Sequence, residues 1–408
     1  MKASAFACPQ AVSRRSVLRS AAAAAAVSLA GVARSADPPA APAAYRAAVI
    51  GHTGRGNYGH GLDVVWLNIP NVKVVAVADA DAKGLAAAAK RLGGAAPYPD
   101  YRQMLQKEKP DLVSICPRHL DQHRDIALAA CQAGARGIYL EKPMCRTLEE
   151  ADQVVAACEQ HKVKLAVSHQ TRYCPRVAMA KKLIDEGVIG KVLDLRARGK
   201  EDRRGGGEDL WVLGTHVLNL VQFIGGQPLW GFAEVRQDGK PVAREHVHEG
   251  AEGIGPLAGD EVHAVWRLAS GAMASFDSVK NAQPKEARYV LFVCGTKGVI
   301  RIGHGYMTQV HLLEGASWAG IDPKAKWRPI SSAGVDQPEP VKTGGMHGGN
   351  ETAVSELIAC VEKGGNPSSS VYDGRWAMEM IVSVFESHRL GRPVKLPLEN
   401  RKNPLTML

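Results

Sequence analysis

The chain has 408 residues, of which 45% are apolar, 23% charged and 5% aromatic. That length suits two domains, each large enough to bury a core, and the composition excludes a disordered chain, a collagen-like fibre and a small disulfide scaffold. The formal charge is +10, and no basic run with interleaved aromatics occurs, so nucleic acid is not an expected partner.

Residues 1–35 carry five bases and no acid. Ser13-Arg14-Arg15-Ser16-Val17-Leu18-Arg19 precedes an Ala-rich apolar stretch that ends in small residues at Ala33 and Ser35. An arginine pair, a short apolar core and a small-residue exit read as a twin-arginine export signal over residues 1–35. A general secretory signal is the alternative, and the stretch is too short to span a bilayer comfortably. Residues 36–44 read as a stiff linker. The expected location is therefore periplasmic or otherwise exported, with no membrane association once the signal is removed. The eight cysteines are scattered without a Cys-x-x-Cys pair, which suits small buried residues in a protein that folds in a reducing cytoplasm before export.

From residue 45 strands and helices alternate. Strands are expected at 46–51, 72–78, 111–116, 137–141 and 163–168, with helices at 57–68, 82–92, 121–133 and 148–161. Apolar strands without polar alternation, separated by helices, indicate a doubly wound parallel sheet of the Rossmann type over residues 45–168.

The first strand runs into Gly51-His52-Thr53-Gly54-Arg55-Gly56. A turn between strand and helix needs glycine where the backbone bends tightly and approaches a pyrophosphate, and a following helix presents free N–H groups to the phosphates. Gly51, Thr53, Gly54, Arg55 and Gly56 are thus cofactor-binding candidates, although Gly-x-x-Gly-x-Gly differs from the commoner spacing. Asp79 closes the second strand, where a carboxylate accepts from both ribose hydroxyls and repels a 2′-phosphate, favouring NAD over NADP. An Asp here also suits a helix cap. Glu141-Lys142-Pro143 closes the strand that starts at Gly137. Carboxyl ends of parallel strands face the ligand crevice, so Lys142 is placed to reach a substrate hydroxyl.

These motifs, with Pro117, His123 and the later Gly214-Thr215-His216, appear in one order that resembles the glucose–fructose oxidoreductase/inositol dehydrogenase (Gfo/Idh/MocA) family over about residues 45–395. The resemblance implies a Rossmann domain followed by an α/β domain with a large, mostly antiparallel open sheet. It also implies a bound nicotinamide cofactor, a sugar, cyclitol or sugar-derived substrate, and a homo-dimer or homo-tetramer joined through the sheet. It places Pro117, His123, Glu141 and Lys142 at the cofactor and makes Lys142 and His216 the catalytic pair. The family also has an Asp four residues before this histidine, and here that position is Val212. Asp209, Glu208 and Asn219 are the candidates to replace it.

In residues 169–395 a helix is expected at 176–186, strands at 192–198, 261–268, 273–279, 290–294 and 299–302, and helices at 351–363 and 374–390. Residues 396–408 read as a tail. Arg172 and Tyr173, just past the last Rossmann strand, are substrate candidates, as are Arg203 in a charged Gly-rich loop and Asp209. His246 and His248 sit two apart on a possible strand but lack a third ligand, so no metal is expected. His60, His304 and His311 read as hydrogen-bonded structural residues.

The functional expectation is an NAD-dependent oxidoreductase acting on a secondary hydroxyl of a sugar, cyclitol or sugar derivative, with the nicotinamide tightly held. A redox-neutral glycoside lyase or hydrolase that recycles its NAD, and a non-catalytic sugar-binding protein, are the alternatives.

Overall fold

The computed structural model describes residues 45–282, 289–315 and 324–408. The segments expected to be an export signal and linker, residues 1–44, lie outside the described residues. Six strands, β1 (Tyr45–Ile50), β2 (Val72–Ala78), β3 (Ala96–Tyr98), β4 (Leu112–Ile115), β5 (Gly137–Leu140) and β6 (Lys164–Val167), form one sheet in the order β3-β2-β1-β4-β5-β6. All five pairings are parallel. β4 and β5 are buried at every position, which is why they read as uninterrupted apolar runs. The order reverses between β1 and β4, so a crevice opens beyond their carboxyl ends.

Helices α1 (Ala82–Arg91), α2 (Tyr101–Glu108), α3 (His123–Gln132) and α4 (Leu148–His161) connect the later strands. Asp81 caps α1 by accepting from Gly84 N at 2.6 Å, and Asp100 and Thr147 do the same for α2 and α4. The helix expected over 57–68 does not form. Gly54, Gly56, Gly59 and Gly61 all adopt positive φ (85°, 85°, 62° and 82°), as does Asn57 at 53°. That conformation breaks a helix at every second or third residue. Only a short 3₁₀ turn, Val65–Asn68, follows.

The rest of the chain is built on an 11-stranded sheet. Its pairings are antiparallel except that between Val192–Arg198 and Met273–Val279. Glu261–Leu268 alternates buried and half-buried residues along its whole length, the signature of a sheet covered on one face. Helices Thr215–Gly225 and Val371–Leu390 supply that cover. The strands Pro228–Gln237 and Trp327–Ser331 escaped the sequence reading because Gly, Pro and exposed aromatics interrupt their pattern, and Val310–Glu314 because it is short and carries two adjacent buried leucines.

Two segments return to the first sheet. Helix Gly345–Lys363 packs Ala353, Val354 and Leu357 into the same core as Val49, Val77 and Tyr139. The final residues are not loose. Arg401 pairs with Asp152 of α4 at 2.8 Å and with the buried Glu379 at 2.5 Å, while Leu398 and Leu405 are buried. All seven cysteines of the described residues are buried and free. No described helix is long and apolar enough to cross a membrane.

Candidate active site

The carboxyl ends of β1, β4, β5 and β6 each release a polar segment into the crevice. After β1 the glycine turn folds back on itself. Asp79, at the end of β2, accepts from Thr53 N at 3.0 Å, Thr53 Oγ1 at 2.7 Å, Tyr58 OH at 2.8 Å and Asp81 N at 3.0 Å. Burial pushes this carboxyl up, but the Thr53, Asp81 and Tyr58 hydrogen bonds outweigh it and hold the pKa below the ordinary value. Asp79 does not cap α1; Asp81 does. The Tyr58 ring lies against Gly51, so closely that a Cβ there would come within 2.5 Å of three ring atoms. Glycine at 51 is therefore required by Tyr58.

Across the switch point, Arg55 pairs with Asp121 at 2.5 Å and His52 Nδ1 meets Gln122 Oε1 at 2.6 Å. Three buried polar atoms of this 118–122 turn, His119 Nδ1, Asp121 Oδ1 and Gln122 Nε2, have no hydrogen-bond partner among the described residues, and Arg118 Nε has only a 3.5 Å ion pair with Glu252. A Cβ at nearby Gly54 would meet nothing within 4 Å. Unsatisfied buried polar atoms beside open backbone fit a polar ligand such as a dinucleotide. His123 serves differently. It is fully buried, with Nε2 2.7 Å from Pro117 O and Nδ1 3.0 Å from Pro143 O. It clips the end of β4 to the turn after β5 and keeps neither nitrogen for a ligand.

Beyond β5, the Lys142–Pro143 peptide is cis. Glu141, fully buried, accepts from Lys142 N at 3.0 Å and Ser168 Oγ at 3.3 Å, and its other oxygen meets His60 N at 3.2 Å and His60 Nδ1 at 3.0 Å. Burial raises its pKa, yet the His60 hydrogen bond and the charges around it win and hold it at about 2. Lys142 Nζ lies 4.0 Å from Glu141 Oε1 and donates to Val212 O at 3.1 Å. Burial lowers the lysine pKa against the opposing pull of Glu141.

The carbonyl that takes Lys142 belongs to an unusual turn. Residues 207–225 run as one helix, but Leu210–Gly214 is wound as a π turn. Such a turn holds one extra residue and leaves main-chain groups short of their usual helical partners. Val212 has no carboxylate to offer, and its main-chain oxygen anchors the lysine instead. Asp209 is held elsewhere, accepting from Ser278 Oγ at 2.6 Å and Glu201 N at 3.0 Å. Glu208 is half-buried and Asn219 fully buried; neither hydrogen-bonds His216.

His216 is buried, its Nδ1 without a partner among the described residues. Burial, reinforced by His304 and Lys142, pushes its pKa well down, so the ring is neutral at neutral pH. His169, held by Ser369 Oγ and Thr215 Oγ1 at 2.9 Å each, packs edge-on at 5.5 Å between ring centres. A cavity of about 140 Å³ is lined by His60, Glu141, Lys142, Ser168, Gln170, Leu213, His216 and His304, with Met346 at its rim. Asn350, on the helix that returns to the first sheet, fixes this wall: it donates to His60 O and accepts from Tyr139 OH and Gln170 Nε2.

Lys142, Glu141 and His216 thus come together. Tyr173 does not join them, because its ring is buried in the first core and its hydroxyl accepts from Ser369 N. Arg172 stacks over Phe223, 3.2 Å from the ring centre, and Arg203 is exposed. His60 and His304, read from sequence as structural, line the cavity. Their signal was position: one ends the glycine turn, the other follows a strand.

A parallel sheet with a glycine turn after β1, an acid after β2 and a lysine–histidine pair on the crevice wall defines a dinucleotide-dependent oxidoreductase. Residues 45–169 match the family model for an oxidoreductase NAD-binding Rossmann fold, and residues 181–396 match that for its C-terminal α/β domain. The chain belongs to the Gfo/Idh/MocA oxidoreductase family and binds NAD through its first domain. It is 27% identical over 345 residues to D-apiose dehydrogenase of Paraburkholderia graminis, covering 81% of this chain and 85% of that protein. It is 30% identical over 249 residues to levoglucosan dehydrogenase of Pseudarthrobacter phenanthrenivorans, covering 55% and 63%. A solved levoglucosan dehydrogenase in complex with NADH and levoglucosan shares the fold, with TM-score 0.71, 23% identity and coverage of 86% and 99%.

Proposed function

We propose that the protein oxidises a secondary hydroxyl of a sugar, cyclitol or sugar derivative. The observation that carries this reading is Lys142 and His216 lining one cavity at the carboxyl ends of the parallel strands. The dehydrogenase relatives that act on D-apiose and levoglucosan support the substrate class. Bound NAD supplies a hydride acceptor. Lys142 donates to the reacting oxygen and stabilises the negative charge that develops there. His216, neutral through burial, accepts the hydroxyl proton at the nitrogen facing the cavity. Glu141 and His60 hold the lysine's strand end, and Val212 O fixes its Nζ. The 118–122 turn and the open face of Gly54 receive the dinucleotide, and Asp79 receives the adenosine ribose once Tyr58 has given way.

The same reading includes export by the twin-arginine route, resting on Arg14-Arg15 and the Ala-rich stretch after them, and a homo-oligomer joined through the open sheet face, where Leu193, Phe232 and Trp327 are exposed. An exported enzyme needs its cofactor held firmly. The test is to denature purified mature protein and identify released nucleotide by mass spectrometry. Stoichiometric NAD(H) is expected, followed by sugar-dependent reduction of the bound cofactor. Protein that carries no nucleotide and binds neither NAD nor NADP would overturn the reading. Product analysis by mass spectrometry distinguishes an oxidised sugar from a cleaved glycoside.

A further inference from the structure

We infer that His304 binds substrate, its Nε2–H donating to a hydroxyl adjacent to the one His216 deprotonates. The inference rests on the oxidoreductase reading above and adds a specificity residue to it.

His304 follows the strand Gly298–Gly303 and enters the cavity from the second domain's sheet, opposite Lys142. Its ring centre is 4.6 Å from that of His216. On its other side Tyr289 stacks at 4.2 Å and 28°, and the Tyr289 hydroxyl is tied to Leu213 O. The imidazole is therefore fixed in place, and its hydrogen is fixed as well. Nδ1 lies 3.2 Å from Thr171 Oγ1, which already accepts from Gly305 N at 2.9 Å. Thr171 is buried, and among the described residues His304 Nδ1 is the one acceptor within reach of its hydroxyl hydrogen. Nδ1 then accepts, and the ring's own hydrogen sits on Nε2. That Nε2 has no protein partner among the described residues, while the ring lines the cavity.

Burial, aided by the Lys142 charge, holds the His304 pKa at about 3. The ring is neutral at working pH and, with Nε2 already protonated, does not compete with His216 for the substrate proton. Two neighbouring imidazoles, one accepting and one donating, match two hydroxyls on adjacent ring carbons. The wall that lacks a carboxylate at Val212 thus gains a polar contact from the opposite domain.

The test uses full-length mature protein loaded with NAD. Levoglucosan, D-apiose and methyl D-glucosides are screened by nicotinamide absorbance, and the best substrate is compared with its mono-deoxy analogues. Wild type should discriminate against one deoxy analogue by about tenfold, the value of one hydrogen bond. His304→Phe, which keeps a ring against Tyr289, should raise KM for the parent sugar about tenfold with little change in kcat, and should erase that discrimination. His304→Gln, which keeps a donor, should restore part of it. Equal losses on parent and deoxy sugar, or discrimination preserved in His304→Phe, would overturn the inference. A wild-type protein that oxidises no sugar in the screen would overturn the oxidoreductase reading and this inference with it.

Discussion

At the end of β2, Asp79 takes hydrogen bonds from four donors of its own chain, and a tyrosine ring covers the first glycine of the turn. Further along the same crevice, His216 Nδ1 and His304 Nε2 have no protein partner among the described residues, and the small cavity is lined by the Glu141 carboxylate and by Lys142, which a main-chain oxygen holds. The first region satisfies itself, so a ligand must compete with Tyr58 for Asp79. The second is left short of partners by burial, so a ligand completes it. Binding at Asp79 and binding at the lysine–histidine cavity are therefore governed by opposite devices, and substitutions in the two regions should fail in different ways.

The largest effect should come from Lys142→Met. It removes the donor to the reacting oxygen and leaves Val212 O unpaired, and kcat/KM should fall by about 10³ while bound nucleotide, measured after denaturation, is retained. Loss of nucleotide together with activity would break the distinction between the regions. His216→Phe should lower kcat by on the order of 10²-fold, with KM little changed, because a ring of similar size stays in place without a base.

Glu141 sits where the regions meet and supplies a pH test. Its folded pKa, about 2, is depressed below the ordinary 4.5. Its contribution is therefore present above pH 4.5 and is lost as pH falls through the folded value. The size is about 3 kcal/mol at most. Urea unfolding across that window should show the loss, and Glu141→Gln should flatten it. The smallest effect is expected at Tyr58→Phe. Freeing Asp79 of one competing hydroxyl should tighten NAD binding a few fold, read by calorimetry. Weaker binding would mean that Tyr58 holds the turn in its cofactor-ready shape.

Much of this was legible in the chain. The buried strands announced a parallel sheet, and strand-end position singled out Lys142 against the ordinary expectation for a lone lysine. The glycine turn was legible as a turn but not in its form, because the helix template over 57–68 gave no weight to Gly59 and Gly61, whose positive φ, with that of Asn57, prevents it. The roles of His304 and Asn350 were not legible for another reason: they lie 162 and 208 residues beyond Lys142 in sequence, and only tertiary packing brings the one to its cavity and the other behind the wall at His60. Val212 was recognised as a departure, yet its replacement was sought among side chains. A main-chain oxygen carries no residue identity, so no reading of residue types finds it.

The π turn at Leu210–Gly214 makes this site depend on length as well as on identity. Each residue of a regular helix turns by about 100°. Removing one residue between 210 and 214 would rewind the segment to ordinary pitch and rotate the upstream stretch by that angle relative to His216. The lysine would lose its anchor although every remaining letter of the site was unchanged. Here an insertion or deletion, rather than a substitution, is the event with the power to rewrite the chemistry.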